Sequence, residues 1–500
     1  MRITRRGLLR TAGLALGAMP LAKWGPNAID LGRKALATGE PGTVPQVEPV
    51  FAQPANGMNV ILVVLDTLRK DYVGAYGNPW VQTPTLDGVA ARCTRFERVI
   101  PESLPTIPVR RALHTGIRTF PFRDWEQQKG DTVGLLGWQR IPEQQTTLAE
   151  ILSKSGYTTA LISDTPHLYG PSMNFHRGFG SFRWIRGQHG DSYRPSRAAD
   201  ADRLDGYLTE PLRGSRWHPA LVQYVANTDG RSGEDDWLAP RVFIEAMRLL
   251  DDAVKLEPFF LMVDSFDPHE PWDPPSRYIE LYDEATIDGP EPVTPFYGNS
   301  AYLEEPQLER MKKLYAAEVS MVDAWLGRFL DQVNRLGLLD STLLVVVSDH
   351  GILLGEHGIT GKPTFALWPE VVDVPLLISH PDHRAAGVHE GYVSTHDLAP
   401  TILAALGIDL PPWMNGRDLM PHVADPRPET DDRTIATSAF NDWLMVRTGR
   451  YELQARDDLS QVRLYDILDD PGREHLLDDR QTAEELYDLL VAELGNPLVY

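Results

Sequence analysis

Short apolar runs that each end in a polar residue recur along this chain, and they constrain its fold more than any other feature. The first run extends from Asn59 to Leu65 and is followed by Asp66. A continuous apolar run rich in β-branched residues is typical of a strand buried on both faces. The sequence therefore predicts a sheet covered on both sides, because the pattern returns at Thr158–Ile162, Phe259–Val263, Leu343–Val347 and Pro375–Ile378.

Helical patterns separate these runs, and the clearest covers Leu308–Leu336. Strands that alternate with helices predict an α/β fold, with a large, mostly parallel sheet sandwiched by helices. Ligands of such sheets bind outside the carboxyl ends of the strands. We therefore expect Asp66, His269, Asp349 and His350 to lie close together there.

From about residue 430 the predicted elements become shorter, in a pattern typical of an antiparallel sheet. Three candidate strands are followed by a helical pattern over Thr482–Leu494, and the strands are Trp443–Arg447, Tyr451–Gln454 and Val462–Tyr465. We divide the chain into a catalytic α/β domain at 58–430 and a small C-terminal α+β subdomain at 431–500. Residues 185–240 are rich in Arg and Asp, and we interpret them as a candidate insertion over the site.

The N-terminus has the features of a targeting segment. Thr4–Arg10 resembles a twin-arginine export signal, and the apolar run Thr11–Ala22 that follows is too short to span a bilayer. Ala35–Ala37 offers a small-residue cleavage site. We predict a signal at 1–37 read by the twin-arginine export machinery, a linker at 38–57, and a periplasmic or extracellular protein, anchored if the signal is not cleaved. The alternative is a basic N-terminal helix that is retained.

Charge and cysteine content exclude several classes of protein. The net charge is −22, and residues 1–37 carry seven Lys/Arg and one Asp, so their removal would leave −28. A chain this acidic is a poor ligand for nucleic acid, which requires a basic face. Cys93 is the only cysteine, which excludes an intramolecular disulfide and a cysteine-built metal site.

Asp66, Asp349 and His350 offer two carboxylates and an imidazole, a set that suits a divalent cation such as Mn, Zn, Mg or Ca. A cation there would bind an oxygen of an anionic ester and lower the pKa of a coordinated hydroxyl. The alternative for Asp349–His350 is a strand-end turn before Gly351. The dipeptide alone favours that alternative.

Four further residues are candidates for catalysis. Thr106 at the start of a predicted helix has a hydroxyl suited to nucleophilic attack, and Arg110 can bind two oxygens of the substrate. Lys362 could stabilise the leaving charge, and His269 could act as a general acid or an anion contact. The structural alternatives are a helix cap for Thr106, a surface position for Lys362 and packing on Trp272 for His269.

An ordered set of motifs resembles the sulfatase family of the alkaline phosphatase superfamily over nearly the whole mature chain. Thr106–Arg110, continuing to Gly116, matches the Cys-x-Pro-x-Arg signature, and Pro268–Trp272 matches Pro-His-x-Pro-Trp. The other matching segments are Val64–Arg69, Ser348–Gly351, Gly355–Gly358, Gly361–Lys362, Asp397–Leu403 and Leu464–Ile467.

The resemblance implies an alkaline-phosphatase-like fold and assigns roles to individual residues. It implies a metal held by Asp66, Asp349 and His350 with the Thr106 oxygen alongside. It also implies that His269 and Lys362 contact the anion, with His357 as a further candidate substrate contact. Asp323 and Asp397 are interpreted as structural, and a second metal near His396 is not favoured.

The sequence departs from true sulfatases in three places. Thr106 stands where they carry a Cys or Ser that is oxidised to formylglycine, and threonine cannot become that aldehyde, so we expect no formylglycine. The usual second acid after the first strand is Thr67, and the lysine that binds sulfate is missing from Gly156–His167, where His167 is displaced. Thr106, His350 and Lys362 are closer to the pattern of phosphonate monoester hydrolases and phosphodiesterases.

These departures favour a metal-dependent hydrolase of small anionic esters, specifically phosphodiesters or phosphonates, with Thr106 as the nucleophile. Three alternatives remain open: a sulfuric ester hydrolase, a transferase of phosphoryl-linked headgroups, and a non-enzymatic anion-binding protein. The sequence identifies neither the organic half of the substrate nor the oligomeric state.

Overall fold

The computed structural model describes residues 57–123, 125–127, 133–170, 173–283, 287–383, 386–427 and 433–494. The predicted signal at 1–37, almost all of the predicted linker at 38–57 and the predicted domain boundary at 430/431 lie outside the described residues. None of the described helices is long and apolar enough to cross a membrane.

Fifteen strands and twelve α-helices make up the described fold. The strands are β1 Asn59–Leu65, β2 Thr94–Val99, β3 Thr158–Ser163, β4 Ser181–Trp184, β5 Phe259–Ser265, β6 Gly298–Asn299, β7 Thr342–Ser348, β8 Leu353–Leu354, β9 Ile359–Gly361, β10 Val374–Ser379, β11 Gly387–Val393, β12 Ala436–Phe440, β13 Trp443–Arg447, β14 Tyr451–Arg456 and β15 Val462–Asp466. The helices are α1 Pro84–Ala90, α2 Thr106–Thr115, α3 Leu148–Lys154, α4 Ala201–Asp205, α5 His218–Asn227, α6 Leu238–Ala253, α7 Ser276–Ile279, α8 Glu305–Arg335, α9 Pro369–Val372, α10 Leu398–Ala405, α11 Met420–Ala424 and α12 Arg480–Leu494.

The main sheet has eight strands in the order β11-β2-β10-β7-β1-β5-β3-β4. The five strands from β7 to β4 are parallel, and β10 runs antiparallel to both β7 and β2. This confirms the predicted mostly parallel sheet. Because β1, β5 and β7 are adjacent and point the same way, their carboxyl ends lie together at one edge.

Both faces of the sheet are covered, as the continuous apolar runs predict. Alternate residues of β1 face opposite sides. Val60, Leu62 and Val64 pack with residues of α2, α3 and α10, whereas Ile61, Val63 and Leu65 pack with residues of α6 and α8. A strand in this position has no face toward solvent, which explains why apolar and polar residues do not alternate in its sequence.

Helix α8 corresponds to the predicted helix at Leu308–Leu336 and is shifted by a few residues. Asp323 in its middle is buried and accepts hydrogen bonds from the backbone N–H groups of Thr85 and Leu86 at 2.9 and 2.8 Å. Its carboxylate thus satisfies donors in the first turn of α1 that lack a partner within that helix.

The C-terminal part is the predicted antiparallel sheet, in the order β12-β13-β14-β15, with α12 packed on it. This sheet also contacts the loop that precedes α2. Leu104 donates its backbone N–H to Ala439 at 2.8 Å, and the Ser438 hydroxyl donates to the carbonyl of Pro101 at 2.6 Å. The C-terminal strands therefore support the segment that carries Thr106.

Candidate active site

Four polar segments meet at the carboxyl edge of the main sheet. Asp66 follows β1, Asp264 lies near the end of β5, and Asp349 and His350 follow β7. Thr106 is the first residue of α2. All five side chains are buried. Asp66, Asp349 and His350, three of the four residues expected to lie close together, meet here, and Thr106 Oγ1 lies 3.4 Å from His350 Nε2.

Arg110 lies on α2 one turn after Thr106, and its guanidinium is surrounded by carboxylates. Its Nη1 is 3.0 Å from Asp66 Oδ2 and also pairs with Asp349, while its Nη2 is 2.9 Å from Asp264 Oδ1. Burial lowers the pKa of Arg110, but the three carboxylates outweigh it and hold the pKa well above its usual value. The direct contact to substrate oxygens expected for Arg110 stays a prediction, since its N–H groups already face these acids.

The charges of this cluster suit a divalent cation. Three carboxylates face two cations, Arg110 and Lys362, among the described residues, which leaves one negative charge uncompensated. Asp66 Oδ2 is buried and accepts no hydrogen bond from the described residues, despite its ion pair with Arg110. Burial and the neighbouring Asp349 raise the pKa of Asp66 to about 6. A bound divalent ion would reverse the sign of the cluster and favour an anionic ester.

His350 is oriented as a metal ligand. Its Nδ1 lies 3.0 Å from the carbonyl of Gly351, so Nδ1 carries the ring proton and Nε2 presents a lone pair. Nε2 faces Thr106 Oγ1 at 3.4 Å and Asp349 Oδ2 at 3.4 Å. Burial, followed by the charge of Lys362, lowers the pKa of His350 to about 3, which keeps the ring neutral.

Ligand atoms of Asp66, Asp349 and His350 lie within 4.8 Å of one another, and this is the one such group of three or more found in the described part of the chain. The residues present therefore fit a divalent metal. His396, considered above for a second metal, is buried beside Asp397, with its Nε2 3.8 Å from Asp397 Oδ1. Asp397 in turn accepts hydrogen bonds from the backbone of Ser394 and Arg417.

Lys362 is 7% exposed, which argues against a surface role. Its Nζ donates to Thr67 Oγ1 at 3.0 Å, and Thr67 Oγ1 donates to Asp66 Oδ1 at 2.6 Å. Thr67 also donates its backbone N–H to Asp349 Oδ1 at 2.9 Å. Thr67, at the position of the missing second acid, thus links the ammonium group to the carboxylates.

His269 is held by its own loop. Its Nδ1 lies 2.8 Å from the carbonyl of Glu270, and its ring stacks on Phe266 at 4.1 Å instead of on Trp272. Burial, followed by the charge of Lys362, holds the pKa of His269 well below its usual value. The ring is therefore neutral in the free protein, with the unprotonated Nε2 available for a substrate or water.

His357 has a different environment from the other predicted residues. Its ring stacks on Trp368 at 4.3 Å, and its Nε2 lies 3.5 Å from Glu370 Oε2. Neither partner belongs to the Asp66 cluster. The role of His357 as a substrate contact stays a prediction that no described contact supports.

Sequence reasoning missed several residues that the fold brings to the site. Asp264 ends a predicted strand, so the strand-end rule that selected Asp66 and Asp349 also applied to it. His167 lies edge-on to Phe266 at 5.9 Å, and His189 lies 6.3 Å from His269 between ring centroids. No local sequence signal identifies His189, because only the path of the 185–240 segment brings it there.

Comparison with protein-family models supports the resemblance to the sulfatase family. The family model described as Sulfatase matches residues 58–408, and the model described as N-sulphoglucosamine sulphohydrolase, C-terminal, matches residues 355–497. The fold and the site define an ester-bond hydrolase of the alkaline phosphatase superfamily. Because the first model spans more than half of the chain, the chain belongs to the sulfatase family.

The similar proteins include some that are named as sulfatases and others that are named as phosphatase-superfamily or phosphonate hydrolases. An arylsulfatase of Clostridium perfringens is 26% identical over 395 residues, which is 72% of this chain and 77% of the relative. A multifunctional alkaline phosphatase superfamily protein of Trinickia caryophylli is 26% identical over 424 residues, which cover 75% of this chain and 79% of the relative. The structure of a phosphonate monoester hydrolase of Agrobacterium radiobacter has a TM-score of 0.68 at 20% identity, covering 88% of this chain and 96% of the other.

Proposed function

We propose that this sulfatase-family hydrolase cleaves phosphodiesters or phosphonate monoesters with Thr106 as its nucleophile. The observation that carries the proposal is a threonine hydroxyl at the start of α2, 3.4 Å from the neutral Nε2 of His350 and beside an uncompensated carboxylate cluster. A divalent cation held by Asp66, Asp349, His350 and Thr106 would lower the pKa of the hydroxyl and bind a nonbridging oxygen of the ester.

Thr106, having lost its hydroxyl proton to solvent, attacks phosphorus as the alkoxide and displaces the leaving oxygen, so that one P–O bond forms as another breaks. The bound anion raises the pKa of His269, so that its Nε2 takes up a proton from solvent and passes it to the leaving oxygen. Water then attacks the covalent ester and gives a proton to Nε2, and Thr106 departs as the alkoxide, so that both groups return to the states in which they began the first step. Lys362 stabilises the developing negative charge, while Arg110 and Thr67 keep the acids in position.

The nucleophile separates this function from that of a formylglycine sulfatase. Threonine has no route to the aldehyde, so turnover must pass through an ester of Thr106 or through direct attack by water. A threonine ester is released by attack at phosphorus, which suits phosphoryl better than sulfuryl chemistry. The second candidate is a sulfuric ester hydrolase, which the match to the Sulfatase model and the arylsulfatase relative favour.

The test is turnover by purified protein, stripped of metal and reloaded with Mn, Zn, Mg or Ca, on aryl esters. The four substrates are a phosphate monoester, a phosphodiester, a phosphonate monoester and a sulfate monoester. We expect diester or phosphonate turnover that falls by roughly 10³-fold or more in Thr106→Ala. Thr115→Ala is the matched control, since Thr115 lies on the same helix and its hydroxyl donates to the carbonyl of Arg111 at 2.7 Å.

Each rival function has its own outcome in this assay. Sulfate turnover as the main activity would replace the proposal with the second candidate. Transfer of the phosphoryl group to an added alcohol, in place of hydrolysis, would indicate a transferase. Failure to bind a divalent metal, together with no turnover of any ester, would indicate a non-enzymatic anion-binding protein.

We also propose that the protein is exported through the twin-arginine machinery and acts outside the cytoplasm. Thr4–Arg10 and the apolar run after it support this location. Replacement of Arg5 and Arg6 by Lys should retain the protein in the cytoplasmic fraction. Export of the variant at the parental level would contradict the proposal.

A further inference from the structure

Part of the 185–240 segment reaches the active site. His189 follows β4 in the chain, and its ring centroid lies 6.3 Å from that of His269 with 36° between the ring planes. We propose above that His269 protonates the leaving oxygen. His189, next to His269, therefore lies on the leaving-group side of the site. The candidate insertion therefore contributes a side chain where the organic half of the substrate departs.

The ring of His189 has an unused hydrogen-bonding atom. Its Nε2 is buried and has no hydrogen-bond partner among the described residues. A buried polar atom without a partner is uncommon and costs stability, so it is a candidate ligand contact. Burial lowers the pKa of His189, the Glu270 carboxylate partly opposes this by raising it, and the charge of Lys362 lowers it; the net shift is downward and favours the neutral ring.

A buried network fixes the loop that carries His189. The side chain of Gln188 donates to Asp164 Oδ2 at 3.0 Å and to Asp267 Oδ1 at 2.6 Å, and its Oε1 accepts from the backbone N–H of His189 at 3.1 Å. Two residues further on, the carbonyl of Asp191 accepts from Asn227 of α5 at 2.7 Å. The position of His189 is therefore set by buried hydrogen bonds to the segments that follow β3 and β5, and to α5.

We propose that His189 is a specificity-determining residue that hydrogen-bonds a hydroxyl group on the leaving half of the ester. A hydroxyl both donates and accepts, so it satisfies Nε2 in either tautomer of a neutral imidazole. A carboxylate is a poorer match, because a neutral ring offers it no positive charge. This inference rests on the proposed function and extends it to the class of leaving group.

The experiment compares two phosphodiesters, para-nitrophenyl methyl phosphate and its derivative with a hydroxymethyl group ortho to the ester oxygen. The metal-loaded parent should prefer the hydroxymethyl ester. The preference should fall about 5-fold in His189→Ala, chiefly through KM, because one hydrogen bond contributes roughly 1 kcal/mol. His189→Gln, which keeps a neutral hydrogen-bonding group, should recover part of it.

His218→Ala is the matched control. His218 belongs to the same segment, and its Nδ1 accepts a hydrogen bond from the backbone of Gly214 at 3.1 Å. We expect it to keep the parental preference. An unchanged preference in His189→Ala would overturn the inference.

Binding separates failure of this inference from failure of the proposed reaction. The same two esters are titrated calorimetrically into metal-loaded Thr106→Ala, with and without His189→Ala. Tighter binding of the hydroxymethyl ester that disappears with His189 supports the inference even if the parent turns over neither ester. Equal binding of the two esters, or binding of neither, overturns it.

Discussion

Two carboxyl groups, those of Asp164 and Asp267, share the side-chain amide of Gln188 inside the protein. Burial, and the proximity of the two acids, raise the pKa of Asp164 well above its usual value. Burial raises the pKa of Asp267 to about 6. The pair thus favours the protonated state, while the loop of His189 depends on it for its position.

The raised pKa of Asp267 predicts a pH dependence of stability. A carboxyl with a higher pKa in the folded than in the unfolded state stabilises the fold fully below pH 3.8, and this contribution is lost as pH rises through about 6. Asp267→Asn cannot ionise. Its free energy of unfolding relative to the parent should therefore rise by about 1–3 kcal/mol between pH 4 and pH 7, measured by urea unfolding.

The exposed Asp235→Asn provides the control, and we expect its difference from the parent to be the same at pH 4 and pH 7. If the difference between Asp267→Asn and the parent is constant as well, folding does not raise the pKa of Asp267, and the prediction is wrong.

Individual site residues were predictable where a single rule applied to them. Asp66 and Asp349 follow apolar runs, and the strand-end rule alone brings them together. The common contact of Asp66, Asp264 and Asp349 with Arg110 was not predictable, because it depends on how α2 is rotated against the sheet. Likewise, His189 gives no local signal, since its position depends on hydrogen bonds to strands distant in sequence.

At the scale of elements, strand β9 leads directly into Lys362 through Gly361. The backbone of Gly361 has φ of +80°, and a Cβ there would lie 2.2 Å from Tyr297 Cδ1 and 2.9 Å from Tyr297 Cα. Any side chain would push β9 away from the Tyr297 segment, and Lys362 would move with it. The glycine of the Gly361–Lys362 motif is therefore required by close packing as well as by its backbone conformation.

Gly361→Ala should lower both stability and activity. We expect a loss of at least about 2 kcal/mol from strain and overpacking, together with a fall in kcat/KM as Lys362 shifts from Thr67. Gly358→Ala is a closely matched control, because Gly358 has φ of +69° and nothing within 4 Å of its added Cβ. Equal effects of the two variants on kcat/KM would contradict this role of Gly361.

The elements themselves were largely predictable because their signals are local. The run Phe259–Val263 lies within β5, and the 3.6-residue period of α8 placed that helix to within a few residues. The direction of β10 was not predictable from Pro375–Ile378. A buried strand has the same composition whether it runs parallel or antiparallel, and the pairing partner decides its direction.

At the scale of the whole molecule, the C-terminal sheet and the main sheet share a hydrophobic core. Phe440, Trp443 and Met445 belong to the same buried cluster as Val60 of the central strand. Arg447 of β13 pairs with Asp373 next to β10 at 2.5 Å. The two predicted domains should therefore unfold together.

Calorimetry of the metal-free protein should show one unfolding transition, and Trp443→Ala should lower its midpoint as a whole. The loss is expected to be about 3–5 kcal/mol, since the substitution empties a buried position. Leu489→Ala on α12 is the control, because Leu489 is exposed and should change the midpoint little. A separate transition for the C-terminal part would contradict the shared core.

The long separation between contacting site residues has a consequence for the synthesis of this enzyme. Thr67 and its hydrogen-bond partner Asp349 are 282 residues apart in the sequence, and the loop before Thr106 is hydrogen-bonded to Ala439. A ribosome that adds about 5–20 residues per second needs roughly 15 to 60 seconds between the two halves of the site. A nascent chain thus contains Thr106, the proposed nucleophile, long before Asp349 is made, so the proposed cation site can form only after most of the chain has been synthesised.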